Sequence, residues 1–131
     1  MSRQMISKAD AATSRASFYA EADATITAGQ IVAYDIASTG DDRYRHVVPA
    51  TGSLVPAGVA VAAAADGEQV EVVYWGIISV ADVTATDGDA VISGAAGEAV
   101  TATDVADLIV GVAIETKSGA AGNVFVRCSR A

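Results

Sequence analysis

What most limits the shape of this chain is its punctuation. From Ile26 onward, runs of Val, Ile, Ala and aromatic residues are short, and glycines cut them, often beside Asp or Ala. The stretch ITAGQIVAYD (26–35) turns at Ala28-Gly29 and then runs as a strand. Residues 37–46 are a polar turn region. Val47-Val48 is a short strand stopped by Pro49, and Pro56-Ala57-Gly58 opens a segment from Val59 to Ala63. Asp66-Gly67 is a hairpin signal. The run VEVVYWGIISV (70–80) is the longest strand signal, with Val70, Val72 and Tyr74 on one face and Gly76 marking a bulge or bend. Asp87-Gly88-Asp89 turns into Ala90 to Ser93, another turn lies at 94–97, and 105–109 is ambiguous, with room for one helical turn. Ile109 to Glu115 and Asn123 to Cys128 finish as two strands. None of these runs sustains an apolar stripe with the period of about 3.6 residues that a helix needs. Short β-rich runs between tight turns predict an all-β chain.

The punctuation repeats. TAGQIV, PAGVAV and DGEQVEV in the first half are echoed in order by TDGDAV, IVGVAI and AGNVFV in the second. Gly29, Gly58 and Gly67 thereby correspond to Gly88, Gly111 and Gly122, each permitting the positive φ of a tight β-turn. Three turn–strand units used twice predict a small β-barrel or sandwich made of two related halves. Two copies are too few for a solenoid.

Residues 1–24 have a different texture. They are rich in Ala and Ser, contain no Gly or Pro, and lack a helical apolar stripe, although a weak helix over 8–16 is conceivable. They read as an extended N-terminal arm ahead of a β domain at 25–131. The 131 residues fit one domain of ordinary size. Hydrophobic residues make up 52% of the chain, enough for a core, but mostly as Ala and Val, with aromatics at 5%. Such a core fills little volume per residue, so self-association is expected to complete it.

The formal net charge is −8, which argues against a nucleic-acid duplex or an anionic membrane as partner. Fifteen of the sixteen acidic residues fall within 21–116, against Arg43 and Arg45 alone, while Arg3, Lys8, Arg15, Lys117, Arg127 and Arg130 lie towards the ends. Basic ends flank an acidic body. The first twenty residues lack the apolar core of a secretory signal, and the longest apolar stretch, 59–65, is too short to span a bilayer. The expectation is a protein kept in a cytosol or released by lysis.

No catalytic, cofactor or metal site is predicted. Asp87-Gly88-Asp89 lacks the further spaced oxygen ligands and closing Glu of a calcium loop, and Asp41-Asp42 likewise reads as a turn. His46, the single histidine, sits beside Arg43, Tyr44 and Arg45 in a polar turn without a nucleophile motif. Cys128 is the single cysteine, so no intrachain disulfide forms. It shares the apolar face of Val124 and Val126 and reads as a buried structural thiol, despite neighbouring Arg127. Gly119-Ala-Ala-Gly122 has no following Lys-Ser/Thr and is not a phosphate loop. Zinc would need more Cys and His. The Arg43-Tyr44-Arg45 triplet is the weakest of signals for single-stranded nucleic acid within an acidic body.

The run PAGVAVAAAADGEQVEVVYWGIISV (56–80) resembles the bacteriophage capsid decoration, or head cement, protein family. ITAGQIV before it and DGDAV, IVGVAI and GNVFVR after it match the same pattern of Gly and Val, over roughly 24–128. The resemblance implies a compact β-barrel-like domain without catalysis. It implies assembly as a homotrimer or other small oligomer on the outer surface of a virion, with the major capsid protein as partner and synthesis in the host cytoplasm. The capsid and subunit contacts are expected from the arm: Arg3, Lys8 and Arg15 as charges, and Phe18 and Tyr19 as anchors. A second reading is a carbohydrate- or host-receptor-binding virion module such as a head fibre base. It ranks lower because sugar sites usually expose several aromatics and Trp75 is the single Trp. An enzyme ranks third.

Overall fold

β-branched runs between turns form nine strands in a computed structural model that describes residues 14–37, 45–103 and 108–128. The strands are β1 (Arg15–Ala22), β2 (Ile31–Tyr34), β3 (His46–Pro49), β4 (Pro56–Ala60), β5 (Gln69–Ala85), β6 (Ala90–Ser93), β7 (Ala99–Thr101), β8 (Ile109–Ala113) and β9 (Lys117–Arg127). No helix occurs among the described residues. The strands belong to one sheet, ordered β1-β3-β2-β4-β5-β7-β6-β8-β9, in which β1 and β9 also pair with β5.

These two additional pairings close the sheet into two small rings that share β5. In the first, β1 pairs parallel with β3 and antiparallel with β5, while β2 pairs antiparallel with β3 and β4, and β4 with β5. In the second, the later part of β5 pairs parallel with β7 and antiparallel with β9, while β6 pairs antiparallel with β7 and β8, and β8 with β9. The two patterns are the same. The fifth strand of the first half runs on without a break as the first strand of the second, which is why β5 is 17 residues long. Ring closure leaves few free sheet edges.

The duplication extends to single hydrogen bonds. The Gly29 N–H donates to the Ala60 carbonyl at 2.8 Å, as Gly88 does to Ala113 at 2.8 Å. The N–H groups of Ala60 and Ala113 return bonds of 2.9 Å to the carbonyls of Gln30 and Asp89. The side chains of Gln30 and Asp89 accept from the N–H groups of Thr27 and Thr86, closing both turns. The first two glycine pairs of the sequence repeat are therefore equivalent in space. The third is not. Ala60 opposes Val72 and Ala113 opposes Val124, so the counterpart of Gly67 is Gly119 rather than Gly122. Gly67 sits in a turn at φ 90° and Gly119 at φ 71° where the register of β9 with β5 shifts, whereas Gly122 has no positive φ and lies opposite Val80. The sequence reading slipped because β9 begins at Lys117, ahead of the expected Asn123.

Valine and alanine supply most of the core. Ala20, Ala22, Val32, Tyr34, Ala57, Ala60, Val70 and Val72 fill the first ring. Val80, Val83, Val91, Val110, Ala113, Val124 and Val126 belong to the other cluster, which also takes in Ile31, Ala33, Val59 and Val73 from the outward side of β2, β4 and β5. The first-half strands β2 and β4 are thus buried on both faces. This explains why IVAY and PAGVA read as continuous apolar runs rather than alternating ones.

The described part of the expected arm is an integral strand. Along its whole length, from Arg15↔Gly76 to Glu21↔Gln69, β1 is paired with β5, and Ala20 and Ala22 point into the core. The expected bend at Gly76 falls inside β5, at the crossing from one ring to the other.

Candidate functional site

Of the five expected interface residues, Arg3 and Lys8 lie outside the described residues, as do Asp41, Asp42, Arg43, Tyr44 and most of 105–109. The other three stand on β1, where alternation sends neighbours to opposite faces. Phe18 packs against the first-ring core, with its ring 6.3 Å from Tyr34 and 6.0 Å from Tyr74. Tyr19 points the other way and is 66% exposed. Phe18 and Tyr19 therefore serve opposite faces of β1. Tyr19 lines a shallow depression of about 190 Å³ with Glu21, Arg45, His46 and Gln69. Arg15 is exposed at the start of β1, and its Nε donates to the Ile77 carbonyl at 3.0 Å.

The parallel pairing of β1 with β3 sets Glu21 opposite His46. His46 Nδ1 lies 2.8 Å from Asp23 Oδ1 and 3.6 Å from Glu21 Oε2. A hydrogen bond with the Asp35 carboxyl, followed by burial, holds the Asp23 carboxyl above the usual carboxylate range, and His46 pulls it back. Glu21, Asp23 and His46 are donor types that divalent metals accept, with ligand atoms within 4.8 Å of one another. Their contacts run between strands of the first ring, so they pin β1 to β3. Sequence reasoning left His46 at the end of a polar turn, whereas it opens β3, and missed its acidic neighbours. They come from separate segments and only the parallel register unites them.

The other residues that carry chemistry are held by the fold. Cys128 is buried, its Sγ lies 3.7 Å from the Val110 carbonyl, and burial pushes its thiol pKa up to about 12. Asp89 spends one carboxylate oxygen on Thr86 N–H and the Thr101 hydroxyl, both at 3.0 Å. The Glu115 carboxyl is held below its usual range by the Asn123 backbone N–H. Gly119 to Gly122 lies within β9.

One apolar surface was not foreseen. Trp75, Val112, Ile114, Phe125 and Arg127 line an open depression of about 500 Å³ on the outer side of β8 and β9. The Trp75 and Phe125 rings meet edge to face at 5.1 Å, while Trp75 stays 46% and Ile114 37% exposed. The signal available in the sequence was Phe125 and Arg127 alternating with Val124 and Val126. Their partners across the strands required the fold.

The family described as phage cement protein matches residues 11–128. The match begins ahead of β1, consistent with that strand being part of the domain. A search of curated proteins gives no match. Among solved structures, the chain is similar to the head fiber gp8.5 N base of bacteriophage phi29. That likeness has a TM-score of 0.64 and 26% identity, and covers 90% of this chain and 98% of that one.

Proposed function

The chain belongs to the phage cement protein family, and from that premise we propose that it binds the outer surface of a phage head and stabilises the shell without performing a reaction. The match of the family over nearly the whole described chain carries this reading. A packaged genome presses the shell outward, and the shell fails where neighbouring subunits part. A ligand that binds only the intact lattice stabilises it by mass action, by roughly 2.7 kcal/mol per site at a hundredfold excess over its dissociation constant. Repeated at symmetry-related sites, that modest term becomes a large barrier to rupture.

The partner in this reading is the major capsid protein. The protein is made in the host cytoplasm, joins the virion as a homotrimer, and takes neither nucleic acid nor membrane as partner. Arg15 and Tyr19, with Arg3 and Lys8 ahead of them, are the capsid-facing residues. Phe18 serves from beneath, fixing β1 to the core. Supporting this assignment are the exposure of Tyr19 and Arg15 and the position of β1 on a rigid ring.

A second reading, a head fibre base that presents a receptor-binding element, is favoured by the similarity to the phi29 head fiber base. Heads assembled without the protein separate the two. In the cement reading such particles lose DNA at lower temperature or on osmotic shock, and added purified protein restores them. Equally robust particles that fail to adsorb to host cells overturn it in favour of the fibre base.

A further inference from the structure

The two halves close their rings alike but with different chemistry at one place. Ala22 opposes Val47 in the parallel β1–β3 pair as Val83 opposes Ala99 in the β5–β7 pair, and all four side chains are fully buried. The Asp35 N–H donates to the His46 carbonyl at 2.9 Å, as the Gly94 N–H does to the Glu98 carbonyl at 2.8 Å. His46 therefore answers to Glu98, Asp35 to Gly94 and Asp23 to Thr84. His46 is the single histidine, so the second half closes the same parallel pair without an imidazole. The Glu21–Asp23–His46 cluster is an addition to the first half and not a demand of the fold.

We propose that Glu21, Asp23 and His46 bind one divalent transition-metal cation of the zinc class, through two carboxylates and the imidazole Nδ1. Neighbouring ligand atoms around a tetrahedral zinc stand about 3.3 Å apart. The contacts of His46 Nδ1, 2.8 Å to Asp23 and 3.6 Å to Glu21, bracket that separation. The backbone already holds the three in place. The Glu21 N–H donates to the Arg45 carbonyl at 2.8 Å and the Asp23 N–H to the Val47 carbonyl at 2.9 Å, on either side of His46. Little ordering is therefore left for a cation to impose. The Asp35 carboxyl bonds to that of Asp23 and accepts the Ala37 N–H at 3.0 Å, which orients the Asp23 ligand from behind. The adjoining depression of about 190 Å³ gives room for the water that completes a four-coordinate shell. Charge agrees. Glu21, Asp23 and Asp35 bring three carboxylates, and a divalent cation together with Arg45, which lines the depression, offsets them with the imidazole neutral. An imidazole nitrogen among the oxygens selects zinc-like cations over magnesium or calcium. Such a cation staples β1 to β3 and locks the first ring beside Tyr19. The inference goes beyond the cement reading and does not depend on it.

As the single histidine, His46 reports on the site directly. The purified full chain, without a histidine tag and stripped by a chelator that is then dialysed away, is titrated with zinc chloride while the imidazole NMR signals and the heat of binding are followed. The expected result is one ion per chain, a dissociation constant below about 100 μM, and a His46 Nδ1 signal that moves until one equivalent is bound. Magnesium chloride leaves that signal in place. His46→Gln and Asp23→Asn each weaken zinc binding at least about tenfold, and Asp35→Asn does so by about tenfold, all with an unchanged circular dichroism spectrum. Glu98→Gln, at the equivalent place in the second half, leaves the affinity as it was. Weaker binding than that limit, a His46 signal that zinc does not move, or equal affinity in His46→Gln overturns the inference. The NMR titration needs no variant, so a substitution that prevents folding leaves the test intact.

Discussion

β2 and β6 occupy the same place in the two halves, as do β4 and β8, yet the burial of each pair differs. All four residues of β2 and all five of β4 are buried, whereas β6 and β8 keep exposed or half-buried positions between buried ones. Topology, turn chemistry and hydrogen bonds are shared, so the difference comes from what lies outside the ring. The first half is roofed by the second, and the second has no third unit above it. The lesson is that an apolar run in a duplicated β protein records its neighbours as much as its own fold.

The comparison breaks most sharply at its glycines. A Cβ on Gly58 would collide with the Val73 carbonyl oxygen, and one on Gly111 with that of Phe125. Gly58 also stands at φ 151°, a conformation that suits glycine. Gly58→Ala is expected to cost on the order of 3 kcal/mol or more, and Gly111→Ala clearly less, because only overpacking opposes it. Urea unfolding of both variants checks the order, and equal costs would mean that the two halves are under equal constraint.

The next contrast concerns β1. Register makes Phe18 the counterpart of Ile78, since Phe18 opposes Val72 and Ile78 opposes Val124. Phe18→Ala is therefore expected to destabilise by about 2–3 kcal/mol, near the cost of Ile78→Ala, while Tyr19→Ala stays within about 0.5 kcal/mol. A Phe18→Ala variant with an unchanged melting midpoint would return β1 to the status of an arm.

Val59 and Val112 sharpen the comparison further, being the same position of the repeat under different cover. Val59→Ala is expected to cost about 2 kcal/mol and Val112→Ala less than about 1 kcal/mol in the monomer. The gap should narrow in the oligomer if a second copy covers Val112. Chemical denaturation at low and high protein concentration measures this.

The smallest effect belongs to Cys128. Its thiol pKa is raised by burial to about 12, so the thiolate that reacts with disulfide reagents is scarce at neutral pH. The folded protein should ignore such a reagent at pH 8 and react promptly in urea. Prompt reaction of the folded protein would place Cys128 at the surface.

Much of this architecture was legible in the sequence, and the parts that were not share a cause. Gly29, Gly58, Gly88 and Gly111 announced the two halves because a turn or a close backbone approach leaves a glycine visible at a fixed place. β1 stayed hidden because its inward residues include Ala16, Ala20 and Ala22, whose small side chains scarcely register beside Ser17 and Glu21. The end of β5 was set too early, at Val80, because Ala81 and Asp82 lie where its register with β9 shifts. The Glu21–Asp23–His46 cluster and the Trp75 face depend on strand pairings between distant segments, which local pattern does not encode. Phe18 and Tyr19 fall on opposite faces because they are neighbours in a strand, which was not legible while β1 was missed.

The central claim is that this duplicated β domain holds a phage head together. Heads assembled without it are to be titrated with purified protein while the temperature of DNA release is recorded. Mass action predicts a release temperature that climbs with free protein as the sites fill, and keeps rising with the logarithm of its concentration beyond the dissociation constant. Heads that bind the protein to saturation and release DNA at the same temperature as bare ones would contradict the account.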